Sequence, residues 1–155
     1  MQKTLVLLKP DALQRNFLGE VISRFERKGL KIIGMKMMKL DDKTLEEHYQ
    51  QHKGKSFFQD LVNFMKDSPV VAIVLQGAEA VKAVRFLCGS TVGREADAGT
   101  IRGDFSMSQQ YNIVHASDSL ENAQKEIQRF FDKSELFHYE KYDQSNVYTA
   151  EEMEN

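Results

Sequence analysis

The residues best equipped for chemistry fall in one stretch, 99–118, which reads Gly-Thr-Ile-Arg-Gly-Asp-Phe-Ser-Met-Ser-Gln-Gln-Tyr-Asn-Ile-Val-His-Ala-Ser-Asp. His115 closes a short apolar run, and Ser117-Asp118 follows it with Glu121 three residues past the aspartate, a helix-start pattern. Strand, histidine and helix N-terminus in that order set an imidazole beside free backbone N–H groups and the positive end of a helix dipole. An anion can be received there. A neutral imidazole has a lone pair able to attack phosphorus and form a covalent intermediate. Glu126, on the helix that follows, is a carboxylate within reach of such a ring.

Arg102 lies between two glycines in the same stretch, and its planar fork suits phosphate oxygens. Lys9 ends the first apolar run just before Pro10, at the strand end where ligands often meet α/β proteins. Asn112 and His115 pose a difficulty, because an odd separation aims them at opposite faces of an ideal strand. They share a site only if the chain turns at or before His115. By position alone Arg85 reads as a surface cation, and Phe57 and Tyr49 as core or rim aromatics. His48 and His138 lie in polar segments without ligand spacing, and His52 does not stand out. There is no P-loop, dinucleotide fingerprint or nucleophile elbow, so phosphate chemistry here would not use the usual NTPase parts.

These groups must be carried by a small α/β scaffold. Apolar runs at 4–8, 30–40, 70–75 and 112–116 read as strands. Helical spacing occupies 17–28, with Gly29 as its stop, and 78–88, with Gly89 as its stop. A polar helix is expected over 41–52, with Thr44 and Glu47 at capping-box spacing. A more apolar one opens at Ser56 with Gln59 as its box partner, and 119–131 forms the last helix. Residues 90–111 lack periodicity and read as a long functional loop. The order predicts a split βαβ, ferredoxin-like α/β sandwich, with a four-stranded antiparallel sheet covered on one face by helices. One domain over 1–155 is expected, with a frayed, extended tail from about 143.

The chain has 155 residues and a formal net charge of −2, so nothing in its bulk charge attracts nucleic acid or an acidic membrane. Any anion site must come from a few placed cations. One cysteine, Cys88, excludes an internal disulfide and reads as a small core residue. No run is long enough for a signal segment or membrane span, so a cytoplasmic protein is expected.

Asn112-Ile-Val-His-Ala-Ser-Asp118 resembles the active-site signature of nucleoside diphosphate kinases, Asn-x-x-His-x-Ser-Asp. The resemblance runs from Thr4 to about Tyr148 and includes Lys9-Pro10-Asp11, the segment 99–105 and the Ser117/Glu126 pairing. It implies that His115 takes the γ-phosphate of a nucleoside triphosphate, mainly ATP, and passes it to a diphosphate in two half-reactions. Arg85, Thr91 and Arg102 match phosphate-binding positions, Lys9 and Asn112 those that hold the sugar hydroxyls, and Phe57 the aromatic on which the base stacks. His52 falls where some members place a further phosphate contact, Tyr49 borders the histidine, and Ser117 with Glu126 orients it. The resemblance also implies Mg²⁺ bound through the nucleotide's own phosphates, with no metal ligand from protein side chains. It implies a homo-oligomer, a hexamer favoured over a tetramer by the tail through Tyr148. A base held by stacking alone implies broad base tolerance.

Two readings compete with this one: a nucleotide-binding module with degenerate chemistry, and a binder of single-stranded nucleic acid on a four-stranded sheet. The first would need a broken catalytic set. The second fits poorly with the near-neutral charge, so no specific nucleic-acid partner is expected. Val92-Gly93 stands where the family usually has Asn-Pro, and Ala98 where it has proline. These changes predict a looser loop, with lower stability or altered subunit contacts rather than lost activity. Ala12 for a usual glycine and Ser56 for a frequent proline look tolerable.

Overall fold

The computed structural model describes residues 1–154, so Asn155, the last residue of the expected tail, lies outside the described residues. Four strands, β1 (Gln2–Leu8), β2 (Lys31–Met38), β3 (Val70–Gly77) and β4 (Val114–Ala116), form one sheet in the order β2-β3-β1-β4. Every neighbouring pair is antiparallel, as in the expected ferredoxin-like arrangement. Eight α-helices among the described residues connect and cover it: α1 (Pro10–Gln14), α2 (Leu18–Arg27), α3 (Asp42–His48), α4 (Phe58–Asp67), α5 (Ala80–Cys88), α6 (Ile101–Phe105), α7 (Leu120–Phe130) and α8 (Ala150–Glu154).

The sheet is covered on both faces, not one. Alternate residues of β1 separate into two cores, as the period of a strand requires. Val6 and Leu8 pack with Val21, Phe25, Val84 and Cys88 of α2 and α5. Leu5 and Leu7 pack with Leu45, Val62, Met65 and Ile127 of α3, α4 and α7. A strand buried on both sides is apolar throughout rather than alternating, which is why the run at 4–8 carried no sign of a solvent face. Burial pushes the Cys88 thiol up to about 11, as befits an inert core residue.

Several local expectations shift for identifiable reasons. Pro10 opens the short helix α1 at its first turn, a position proline tolerates because its missing N–H would be unpaired anyway. The polar helix is capped by Asp41, which accepts from the Thr44 N–H at 2.8 Å, rather than by a Thr44 box. It ends at His48, and a separate 3-10 turn spans Gln50–His52. α4 starts one residue after Phe57 with no side-chain cap, so the Ser56 box does not form. α7 is capped by Ser119, not by Ser117 or Asp118; Ser119 accepts from the Asn122 N–H at 3.2 Å. The tail is not extended: a 3-10 turn at Gln144–Asn146 and α8 shape it, and the Tyr148 hydroxyl donates to Gly29 O at 3.1 Å.

The long connection 90–111 is built rather than loose. A 3-10 turn covers Gly93–Glu95, and α6 is capped by Thr100, whose Oγ1 accepts from the Gly103 N–H at 3.1 Å. Buried Gly93 donates its N–H to Ser108 O, and a Cβ there would stand 2.4 Å from Ser106 O, so glycine suits this variant loop. At Gly103 a Cβ would lie 2.0 Å from Asp97 O, a backbone atom that cannot swing aside. Gly103→Ala is therefore expected to lower stability by about 3 kcal/mol. A melting curve should show this as a fall of roughly 10 °C.

Candidate active site

The first strand and the last meet where the site forms. Lys9 donates its backbone N–H to Ile113 O at 2.9 Å, and the Ile113 N–H donates to Asp11 Oδ2 at 2.9 Å. Between these bonds Ile113 adopts φ +72°, a left-handed conformation that a β-branched residue avoids. Such a conformation costs about 1–3 kcal/mol and persists only where the surroundings fix it, here the two hydrogen bonds and complete burial. The turn answers the odd separation: β4 begins only at Val114, so Asn112 and His115 reach the same cavity.

That cavity has a volume of about 440 Å³, within the range of small-molecule sites. Lys9, Tyr49, His52, Phe57, Arg85, Thr91, Arg102, Asn112 and His115 all line it, which brings together every expected contact residue. Ser117 and Glu126 lie behind the histidine. Phe57 keeps 43 % of its surface exposed at the rim, as a stacking platform must. Lys9 Nζ donates to Asn112 Oδ1 at 2.6 Å and to Gln110 O at 3.2 Å, while Asn112 Nδ2 donates to Thr91 O and Gln109 O. Arg102 is withdrawn from solvent. It is buried on α6, donating through one terminal nitrogen to Gly89 O and through the other to Val114 O, both at 2.7 Å, while its Nε is unpartnered.

Around His115 the order is strict. Its Nε2 lies 3.0 Å from Glu126 Oε1, and because a carboxylate only accepts, Nε2 carries the proton. Ser117 Oγ donates to Glu126 Oε2 at 2.5 Å and accepts from the Leu5 N–H at 3.2 Å. Nδ1 of His115 has no protein donor among the described residues, so its lone pair is free. The Tyr49 hydroxyl, buried at the cavity wall, has no hydrogen-bond partner either.

His48 is the residue whose role spacing concealed. It is buried on α3, one turn after Leu45, and its ring packs edge-on to His115 with centroids 4.5 Å apart. Asp118 was read only as part of a helix start, yet it lines the cavity and takes a 2.6 Å hydrogen bond from Asn122 Nδ2, which with nearby Arg85 holds its carboxyl low. Burial, reinforced by Arg102, lowers Lys9 to about 8. Burial also pushes the Tyr49 hydroxyl up, and lowers His52 with help from Lys55. His48 is driven well below the usual imidazole value by burial first, then by His115, Arg129 and Lys9.

Ligand atoms of His48, His115 and Glu126 lie within 4.8 Å of one another, the one such trio among the described residues. Two imidazoles suit a softer ion than Mg²⁺, which prefers an oxygen shell. The Arg129 guanidinium, 3.4 Å from His48 Nδ1, opposes any cation there. The cavity itself offers Mg²⁺ a single carboxylate, Asp118, among its lining residues.

A sequence profile described as nucleoside diphosphate kinase matches residues 2–136. The chain belongs to the nucleoside diphosphate kinase family. Nucleoside diphosphate kinases of Saccharolobus solfataricus and Sulfurisphaera tokodaii are 50% and 52% identical to it, over 87% and 88% of this chain and 98% and 92% of theirs. The halophilic nucleoside diphosphate kinase of Halobacterium salinarum, solved in complex with CDP, superposes with a TM-score of 0.92 at 40% identity, covering 95% of this chain and 98% of that one. This is thus a nucleoside diphosphate kinase, which moves phosphate between nucleoside tri- and diphosphates. No helix of the kinase among the described residues is long and apolar enough to cross a membrane.

One pH effect on the kinase's stability follows from His48. Unfolded, its imidazole titrates near 6.5; folded, it resists protonation. Below pH 6.5 the unfolded chain therefore binds the extra proton, and stability is lost as pH falls. Each pH unit below 6.5 should cost about 1.4 kcal/mol until the folded value is reached. Urea midpoints between pH 7 and 5 should accordingly fall more steeply for the unmodified kinase than for His48→Gln.

Proposed function

We propose that this kinase works by a ping-pong mechanism through a phosphohistidine on Nδ1 of His115. The observation that supports it most is the pairing of Nε2–H with Glu126, which leaves a lone pair at the cavity. Nδ1 attacks the γ-phosphorus; the N–P bond forms as the bond to the bridging oxygen breaks, and the diphosphate leaves with that electron pair. A second diphosphate then attacks the same phosphorus and restores the free ring. Glu126, steadied by Ser117, balances the positive charge the ring acquires.

Arg85, Thr91 and Arg102 hold the phosphates, with His52 as a further contact and the Tyr49 hydroxyl beside the transferred group. Lys9 and Asn112, already locked together at 2.6 Å, present an ammonium and an amide to the sugar hydroxyls. Phe57 stacks the base without reading its edge, so broad base tolerance follows. Mg²⁺ neutralises phosphate charge when bound, and a cavity rich in cations with one carboxylate, Asp118, fits an ion carried by the nucleotide rather than by a protein ligand set.

Residues 1–155 serve as one kinase domain, which works in the cytoplasm as a homo-oligomer, a hexamer before a tetramer. Edge strand β2 supports assembly, because it leaves Met35 and Met37 54% and 60% exposed. Incubation with γ-labelled ATP and Mg²⁺ should place one acid-labile phosphate on each chain, discharged by added GDP or dTDP. Saturable nucleotide binding with no labelled protein would instead indicate a binding module.

A further inference from the structure

His48 is a buried titratable group beside His115 to which the proposed mechanism gives no part. Its surroundings come from several elements. His115 on β4 presents its ring at 77° to the His48 plane, Phe130 of α7 lies 5.1 Å away by ring centroids, and Tyr49 lies 4.6 Å away. The charged or titratable groups around it are His115, Glu126 and Arg129 of α7, Lys9 at the end of β1, His52 of the 3-10 turn, and Tyr49.

Guanidinium nitrogens only donate, so the 3.4 Å contact from Arg129 makes His48 Nδ1 an acceptor and puts the proton on Nε2. That Nε2 is buried and has no partner. A neutral buried ring with an unpaired N–H is costly to keep unless the position needs its shape and its lack of charge. What it faces supplies the reason. His48 Nδ1 lies 3.7 Å from Glu126 Oε1, the oxygen that takes the proton of His115 Nε2 at 3.0 Å. Were Nδ1 protonated, it would be a second donor competing for that oxygen, and the grip on His115 would loosen.

We propose that His48 is a positioning residue for His115: held in one tautomer by Arg129, its uncharged ring braces the nucleophile and leaves Glu126 Oε1 to His115 alone. The proposal rests on the phosphohistidine reading. Neither His48 nor Arg129 lines the cavity, so nucleotide binding should be largely insensitive to them.

The test is the single-turnover rate of phosphoenzyme formation from ATP, measured alongside nucleotide affinity on intact protein of unchanged assembly. His48→Ala removes the brace and should slow phosphorylation by about 30-fold while changing affinity less than about 2-fold, because small displacements of a reacting group are expensive. His48→Phe restores the ring without a titrating nitrogen. It should recover the rate at pH 7 to within about 3-fold of the unmodified enzyme, with nucleotide affinity unchanged. A folded His48→Ala at the unmodified rate would overturn the idea, as would a His48→Phe as slow as His48→Ala. Should His48→Ala not fold, His48→Gln takes its place: a slow Gln beside a fast Phe supports bracing, and a Gln at full rate overturns it. Absence of label on the unmodified enzyme would instead sink the phosphohistidine reading itself.

Discussion

His115→Ala is expected to carry no phosphate after exposure to ATP and to lose at least about 10⁴-fold in turnover, while its nucleotide affinity changes by less than about 3-fold. The asymmetry comes from the layout. The ring is the imidazole at the cavity that a carboxylate orients, through Nε2–H to Glu126, and the proposed mechanism has Nδ1 attack. The proposed nucleotide contacts fall to other side chains: the Lys9–Asn112 pair, Arg85, Thr91, Arg102 and Phe57 all line the cavity beside His115. A loss of 10⁴ corresponds to about 5.5 kcal/mol of transition-state stabilisation. The fold should survive, since Ser117 still bonds Glu126 and His115 itself is partly exposed. Single-turnover labelling and equilibrium binding of a diphosphate on the same preparation separate the two effects. Normal turnover by His115→Ala would refute the nucleophile assignment.

Much of this was legible in the chain because the residues that touch the cavity come in separated, specific motifs. Lys9 before a proline and the arginine between glycines are ambiguous singly, and it is their order with the Asn-x-x-His-x-Ser-Asp run, matched to the family, that points to one site. What stayed hidden depended on partners distant in sequence. His48 looks polar among its neighbours, yet Leu45, His48 and Tyr49 share one helical stripe, and that stripe faces the core. Ile113 carries no mark of its positive φ; the turn exists because the start of α1 and the segment before β4 exchange hydrogen bonds across about a hundred residues of chain. Helix starts moved for a similar reason. Asp41, Thr100 and Ser119 were each available as caps, and competition among adjacent Ser, Thr and Asp residues is settled by tertiary packing rather than by local preference. The second covered face of the sheet was legible in the unbroken apolar runs at 4–8 and 70–75, since a strand with one wet face alternates.

Arg102 should show stability and catalysis failing together. Its guanidinium bonds Gly89 O, at the end of α5, and Val114 O, at the start of β4. Arg102→Met leaves both carbonyls without that donor, at about 1–3 kcal/mol for each buried group left unpaired. About 2–5 kcal/mol of stability should go, read as a lower urea midpoint. The same substitution removes from the cavity a cation with donors to spare, since two of the five N–H groups of an arginine serve the carbonyls and Nε–H has no partner. Removing a preorganised donor from a transferring phosphoryl group typically costs 10²–10³ in rate, and about that loss is expected here. Arg102→Lys keeps the charge, but one ammonium on a flexible stem does not reproduce a planar fork joining two fixed carbonyls. It should fall between arginine and methionine on both measures, with more recovery in rate than in stability. A full urea midpoint in Arg102→Met would show that the two carbonyl bonds add nothing to the fold, and would leave the arginine only its proposed role at the phosphate.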